Sequence, residues 1–161
     1  MTAKTIENYS PESDLLKDRL IMVTGAGDGI GRAAAMAYAA HGATVILLGR
    51  SVKKLEQVYD RIEAEGHPEA VILPLDLEGA TADDYAQVVE RIREDFGRLD
   101  GLLHNASLLG DLTPIEHYKP ETWNRVMQVN ITAEFLLTQA MIPLLGAAED
   151  ASVIFTSSSV G

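Results

Sequence analysis

The chain has 161 residues, no cysteine, and 13 Lys+Arg against 24 Asp+Glu, a formal net charge of −11 at pH 7. Hydrophobic residues make up 47% and charged residues 23%, the balance of a globular protein, and the length suits a single domain. The absence of Cys excludes disulfides, thiolate chemistry and Cys-based zinc sites, no metal site is assigned, and the acidic field argues against nucleic acid as a partner.

In chain order, the first 18 residues read as an N-terminal arm with a short helix at Glu12–Lys17. They lack the basic start and apolar core of a signal peptide. The longest apolar candidate, ITAEFLLTQAMIPLL, is broken by Glu134, Gln139 and Pro143, short of the ~20 apolar residues that a membrane span needs. A cytoplasmic protein without membrane contact is expected.

From residue 19 onward, short apolar runs alternate with longer helical patterns. Strands are expected at Leu20–Val23, Ala43–Leu48, Ala70–Leu73, Leu99–His104 and Ser152–Phe155. Each run is continuous rather than alternating, as in strands covered on both faces. An alanine-rich helix over 30–41 lies between the first two, suited to close packing on a sheet. Stripes of Leu55, Val58, Tyr59 and Ile62, then of Tyr85, Val88, Val89, Ile92 and Phe96, mark the second and third helices. Gly42, Gly66 and Gly97 stand where these three helices should stop. A fourth helix is expected from about Glu121 to Leu145.

Five strands and four helices in alternation specify an α/β fold with right-handed crossovers. The expectation is a doubly wound, Rossmann-type parallel sheet over 19–161 in the order 3-2-1-4-5, with ligands at the carboxyl ends of the strands. Without a following helix, the fifth strand would expose apolar surface and an unpaired edge.

Chemistry should therefore sit just after each strand. The first runs into Thr24-Gly25-Ala26-Gly27-Asp28-Gly29-Ile30-Gly31 and then into a helix. Glycines there let backbone N–H groups approach a pyrophosphate at a helix N-terminus. The spacing is T-G-x-x-x-G-x-G rather than G-x-G-x-x-G, and Asp28 is expected to face solvent or cap the helix.

This octet resembles the cofactor loop of the classical short-chain dehydrogenase/reductase family, and further blocks follow in family order over residues 18–161. The resemblance implies cofactor contacts from Thr24, Gly25, Gly29, Ile30 and Gly31. After the second strand stand Gly49, Arg50 and Ser51, where an NAD site would place an acid against the ribose 2′-hydroxyl. A guanidinium there can grip a 2′-phosphate, and in the family this arrangement goes with NADP(H) rather than NAD(H). After the third strand, Asp76 and Leu77 match family positions beside the adenine, while Asp76 also suits a helix N-cap or a turn. Asn105 and Ala106 match the family's N-A-G, with Ser107 in place of the glycine; His104 reads as a structural strand-end residue.

Trp123, Val126, Met127 and Asn130 share a helical stripe, so the Asn130 amide needs specific partners. The resemblance implies that Asn130 holds a water in a proton relay to the active-site lysine. It also implies that Ser158, three residues before Gly161, polarises the substrate carbonyl. The family's Tyr-x-x-x-Lys pair is missing: none of Tyr9, Tyr38, Tyr59, Tyr85 and Tyr118 has Lys four residues later. The chain is accordingly expected to be the incomplete N-terminal part of a polypeptide of about 250 residues, itself inactive. The whole would transfer a hydride between NADP(H) and a small-molecule carbonyl or secondary alcohol. Family members are usually dimers or tetramers, so a homo-oligomer is implied. The alternative is a non-catalytic dinucleotide-binding or sensing module.

Overall fold

The computed structural model describes residues 10–158. Its strands are β1 (Leu20–Thr24), β2 (Thr44–Gly49), β3 (Val71–Pro74), β4 (Gly101–His104) and β5 (Ser152–Phe155). They form one parallel sheet in the order β3-β2-β1-β4-β5, the order expected. Between them run α1 (Gly29–Ala40), α2 (Val52–Ala64) and α3 (Ala82–Asp95). After β4 come a 3₁₀ turn (Ile115–His117), α4 (Pro120–Met127), a π turn (Gln128–Thr132) and α5 (Ala133–Leu145).

The continuous apolar runs follow from a core on each face of the sheet. Successive side chains of a strand point to opposite faces, so both parities of a central strand must be apolar. Leu20, Met22, Ile46 and Leu48 pack toward α3 and α5, among them Tyr85, Ile92, Leu137 and Met141. Ile21, Val23, Val45 and Leu47 pack toward α1 and α2, against Ala35, Ala39, Leu55 and Ile62. The small residues of α1 let it approach closely, with Gly31, Ala35 and Ala39 buried. Gly42, Gly66 and Gly97 follow α1, α2 and α3 with positive φ, as helix stops should.

At the end of the sheet opposite the strands' carboxyl termini, buried Asp100 organises the connections. Its Oδ2 accepts from Leu20 N at 2.9 Å and Arg98 Nε at 3.1 Å, and its Oδ1 accepts from Arg19 Nη1 at 3.2 Å. Its carbonyl accepts from Ser152 N at 3.1 Å, so the beginnings of β1, β4 and β5 meet on one residue.

Several expectations are corrected. Glu12–Lys17 forms consecutive turns rather than a helix, because its bonds run from residue i+3 to i (Leu15 N to Glu12 O, Lys17 N to Asp14 O) and do not propagate. Leu16 nevertheless anchors this segment, donating its N–H to His41 O at 2.9 Å and packing on the α1–α2 core. The fourth helix is interrupted by the π turn, which shifts the phase of α5 relative to a 3.6-residue repeat begun in α4. Trp123 is 56% exposed, not part of a buried stripe, and Phe96 at the C-cap of α3 is also exposed. Covering on both faces fails for β5, whose Ile154 and Phe155 are half-exposed at the edge of the described sheet, the exposure expected for this strand. Among the described residues, no helix is long and apolar enough to cross a membrane.

Candidate functional site

The carboxyl ends of β1, β2, β3 and β4 open onto a cleft of about 770 Å³. Its floor is a lock between the ends of β1 and β4. Thr24 Oγ1 accepts from Asn105 N at 2.9 Å and Ala106 N at 3.0 Å, and donates to Leu103 O at 3.4 Å. The Asn105 amide returns the contact, donating Nδ2 to Thr24 O at 3.2 Å. Thr24 is buried, so these bonds exhaust the capacity of its hydroxyl and satisfy two N–H groups that would otherwise be stranded.

Two glycines make this approach possible. Gly25 has φ +67°, and a Cβ there would lie 3.0 Å from Ala106 Cα. A Cβ on Gly31 would overlap the Gly25 carbonyl and the Asn105 amide, so α1 can start this close to β4 only with glycine. Gly29 differs: its φ is +50°, and a Cβ there would meet nothing within 4 Å, because it faces the open cleft. The N–H groups of Ile30 and Gly31, in the first turn of α1, have no protein acceptor among the described residues. Ile30 beside them is 68% exposed.

Asp28 caps α1 and is paired as well. Its Oδ1 accepts from Gly29 N at 2.8 Å, and its Oδ2 accepts from Lys54 Nζ of α2. The Lys54 hydrogen bond, followed by the Gly29 N–H, holds the carboxyl below its usual range. A carboxylate beside the glycine loop is thus locally neutralised. The expectation of a cap was right, but Lys54 is a residue of the site that sequence reasoning missed. Its place in the first turn of α2 offered no pointer, since 26 residues separate the partners.

Arg50 and Ser51 follow β2 and line the cleft, both exposed. Arg50 has no ion pair among the described residues, and Ser51 is the N-cap residue of α2 without a side-chain cap bond. Across the cleft, Asp76 closes a turn, its Oδ1 accepting from Glu78 N at 3.2 Å. Of the two local roles open to it, the turn is the one adopted, because α3 is capped by Thr81. Leu77 beside it is buried yet reaches the cleft wall.

Asn130 lies in the π turn, half-buried, and both ends of its amide are engaged. Its Oδ1 accepts from Leu108 N at 2.8 Å and its Nδ2 donates to Leu108 O at 3.0 Å. Leu108 and Val129 line the cleft; Asn130 itself stands behind them. Ser158 is exposed, three residues beyond β5, and is not among the residues lining the cleft; nearer the strand, Thr156 N donates to His104 O at 2.8 Å. Gly161, from which Ser158 was counted, lies outside the described residues, as do the first nine residues of the arm. His104 is structural as expected: it is 1% exposed, its Nε2 is 2.8 Å from Thr138 Oγ1, and it stacks on Phe155 at 4.7 Å.

Gly25, Gly29, Ile30, Arg50, Ser51, Asp76, Leu77, Asn105 and Ala106 therefore converge on one cleft, with Thr24 and Gly31 beneath it. The sequence profile of the short chain dehydrogenase family matches residues 19–161, all but the arm. The chain belongs to the short chain dehydrogenase family. The uncharacterized oxidoreductase YciK of Escherichia coli is 53% identical over 154 residues, which cover 96% of this chain and 61% of YciK. Among solved structures, a Pseudomonas syringae short chain dehydrogenase is 55% identical with a TM-score of 0.93, covering 96% of this chain and 64% of its own. A Shigella flexneri short chain dehydrogenase in complex with NADP is 52% identical with a TM-score of 0.90, covering 92% and 62%. The chain thus spans between 61% and 64% of the length of these relatives.

Proposed function

We propose that this chain supplies the NADP(H)-binding part of a short chain dehydrogenase that moves a hydride between the cofactor and a carbonyl or secondary alcohol. The observation that carries the reading is Arg50. It is a cation without an ion-pair partner among the described residues, at the end of β2 on the rim of the cleft, at the place where NAD sites put an acid. The NADP complex of the Shigella flexneri relative supports the same cofactor.

The residues present fit such a group. The pyrophosphate would lie over Gly29, where no side chain intrudes, and receive the N–H groups of Ile30 and Gly31 at the positive end of α1. The Lys54 partner of Asp28 removes the repulsion that a lone carboxylate would exert there. Arg50 and Ser51 would hold the 2′-phosphate, and the Asp76–Leu77 turn and Ala106 would flank the adenine and its ribose. When bound, the nicotinamide supplies or takes up the hydride. Ser158 would donate a hydrogen bond to the substrate oxygen as negative charge develops on it. Asn130 acts as a positioning residue, fixing the Leu108 main chain at the cleft wall through its amide. No residue of this sequence is assigned the role of proton donor.

The test is a titration of the protein with NADPH and NADH, for wild type and Arg50→Ala. Wild type should bind NADPH more tightly. Arg50→Ala should weaken NADPH roughly ten- to a hundredfold, the range of a charge-assisted hydrogen bond, and leave NADH unchanged. Equal affinity of wild type for both cofactors refutes the assignment of Arg50. Tight cofactor binding in a full-length protein that turns over no carbonyl or alcohol would favour a sensing module instead.

A further inference from the structure

The loop after β3 meets α4 in a charge pair on the rim of the cleft. Arg125 of α4 donates Nε to Glu78 Oε1 at 2.7 Å and Nη2 to Oε2 at 3.1 Å, a two-pronged fork. The same loop is held again by Gln128, whose Nε2 donates to Leu77 O at 3.4 Å. Both partners of the fork retain substantial exposure, 52% for the Arg125 side chain and 31% for that of Glu78. Exposed pairs of this kind contribute little to stability, so stability alone is a weak reason for the arrangement.

Position supplies a better reason. Glu78 lines the cleft together with Arg50. Its carboxyl is held below the usual range first by the Arg125 hydrogen bond and charge, with a further contribution from Arg50. An ionised carboxylate therefore stands within electrostatic reach of the guanidinium. Left unpartnered, it would attract Arg50 and repel an incoming dianionic phosphate. The Arg125 fork engages both of its oxygens.

We propose that Arg125 masks Glu78 at the cleft rim and so keeps Arg50 available to a 2′-phosphate, making Glu78–Arg125 a selectivity pair for NADP(H) over NAD(H). The inference rests on the assignment of Arg50 to the 2′-phosphate. Neither residue touches the cofactor in this scheme; the pair acts through Arg50.

The experiment is a fluorescence titration with NADPH and with NADH at low ionic strength. The proteins are wild type, Arg125→Gln, Glu78→Gln, the double variant and Arg50→Gln, each checked by a circular-dichroism melt. Arg125→Gln should weaken NADPH roughly two- to fivefold, the size of an exposed charge interaction, without changing NADH. Adding Glu78→Gln to Arg125→Gln should restore NADPH affinity, because the carboxylate that needed masking is gone. A purely structural role would weaken both cofactors alike and show no rescue, and that result overturns the proposal. Selective loss of NADPH in Arg50→Gln with none in Arg125→Gln overturns the masking role alone. Equal loss of both cofactors in Arg50→Gln overturns the Arg50 assignment and the masking with it.

Discussion

His104 should make the stability of the fold depend on pH between about 4 and 6.5. It is 1% exposed at the end of β4, hydrogen-bonded to Thr138 and stacked on Phe155. Burial pushes its pKa from 6.5 down to about 4. Between those values the unfolded chain binds a proton that the folded chain refuses, so stability rises with pH there. The contribution of neutral His104 is intact above about pH 6.5 and lost progressively as pH falls toward 4. At 1.36 kcal/mol per unit, lowering the pH from 7.5 to 5 should cost about 2 kcal/mol at this residue alone. The assay is urea unfolding at both pH values for wild type and for His104→Gln, whose amide keeps a polar partner for Thr138 but does not titrate. His41, His67, His117 and the carboxylates are common to both proteins, so the difference between them isolates position 104. Equal losses in the two proteins would refute the reasoning.

Three further outcomes are expected. Gly31→Ala should abolish cofactor binding in titration, because its Cβ would overlap the Gly25 carbonyl and displace the loop from Asn105; unchanged NADPH affinity would contradict the close approach. Thr24→Val should lower unfolding stability by about 1–3 kcal/mol, since the half-buried N–H groups of Asn105 and Ala106 both lose their acceptor. Tyr85→Phe should be neutral or stabilising by up to about 1 kcal/mol in the same assay, because its buried hydroxyl has no hydrogen-bond partner among the described residues.

Features whose causes are local were legible from residue order. Both faces of the central strands are covered, so β1 and β2 announce themselves as unbroken apolar runs. The Thr24–Gly31 octet reads as a phosphate loop because strand, glycines and helix are contiguous. What escaped was either a change of helical phase or a pairing across distance. The π turn inserts its offset at Gln128–Thr132 with no helix breaker to announce it, and α4 ahead of it has no fully buried residue, so the stripe that starts at Trp123 is not a core stripe. Arg125 and Glu78 are 47 residues apart, and Lys54 and Asp28 are 26 apart, so only the folded sheet brings each pair to the cleft. The place of β5 beside β4 was foreseeable because it follows from the 3-2-1-4-5 order of a doubly wound sheet.

The two bonds between Asn130 and Leu108 have the pattern that one residue of a neighbouring strand would make: one acceptor for the N–H and one donor for the C=O. A single side chain thus stands in for a sixth strand at one rung, giving an otherwise irregular loop the register of a ladder. The substitute is demanding, because it works only for an amide. Aspartate at 130 would lose the donor when ionised, leucine would lose both bonds, and proline at 108 would remove the N–H that is read. The course of the chain along the cleft wall is therefore set by the chemistry of one carboxamide rather than by any strand beside it.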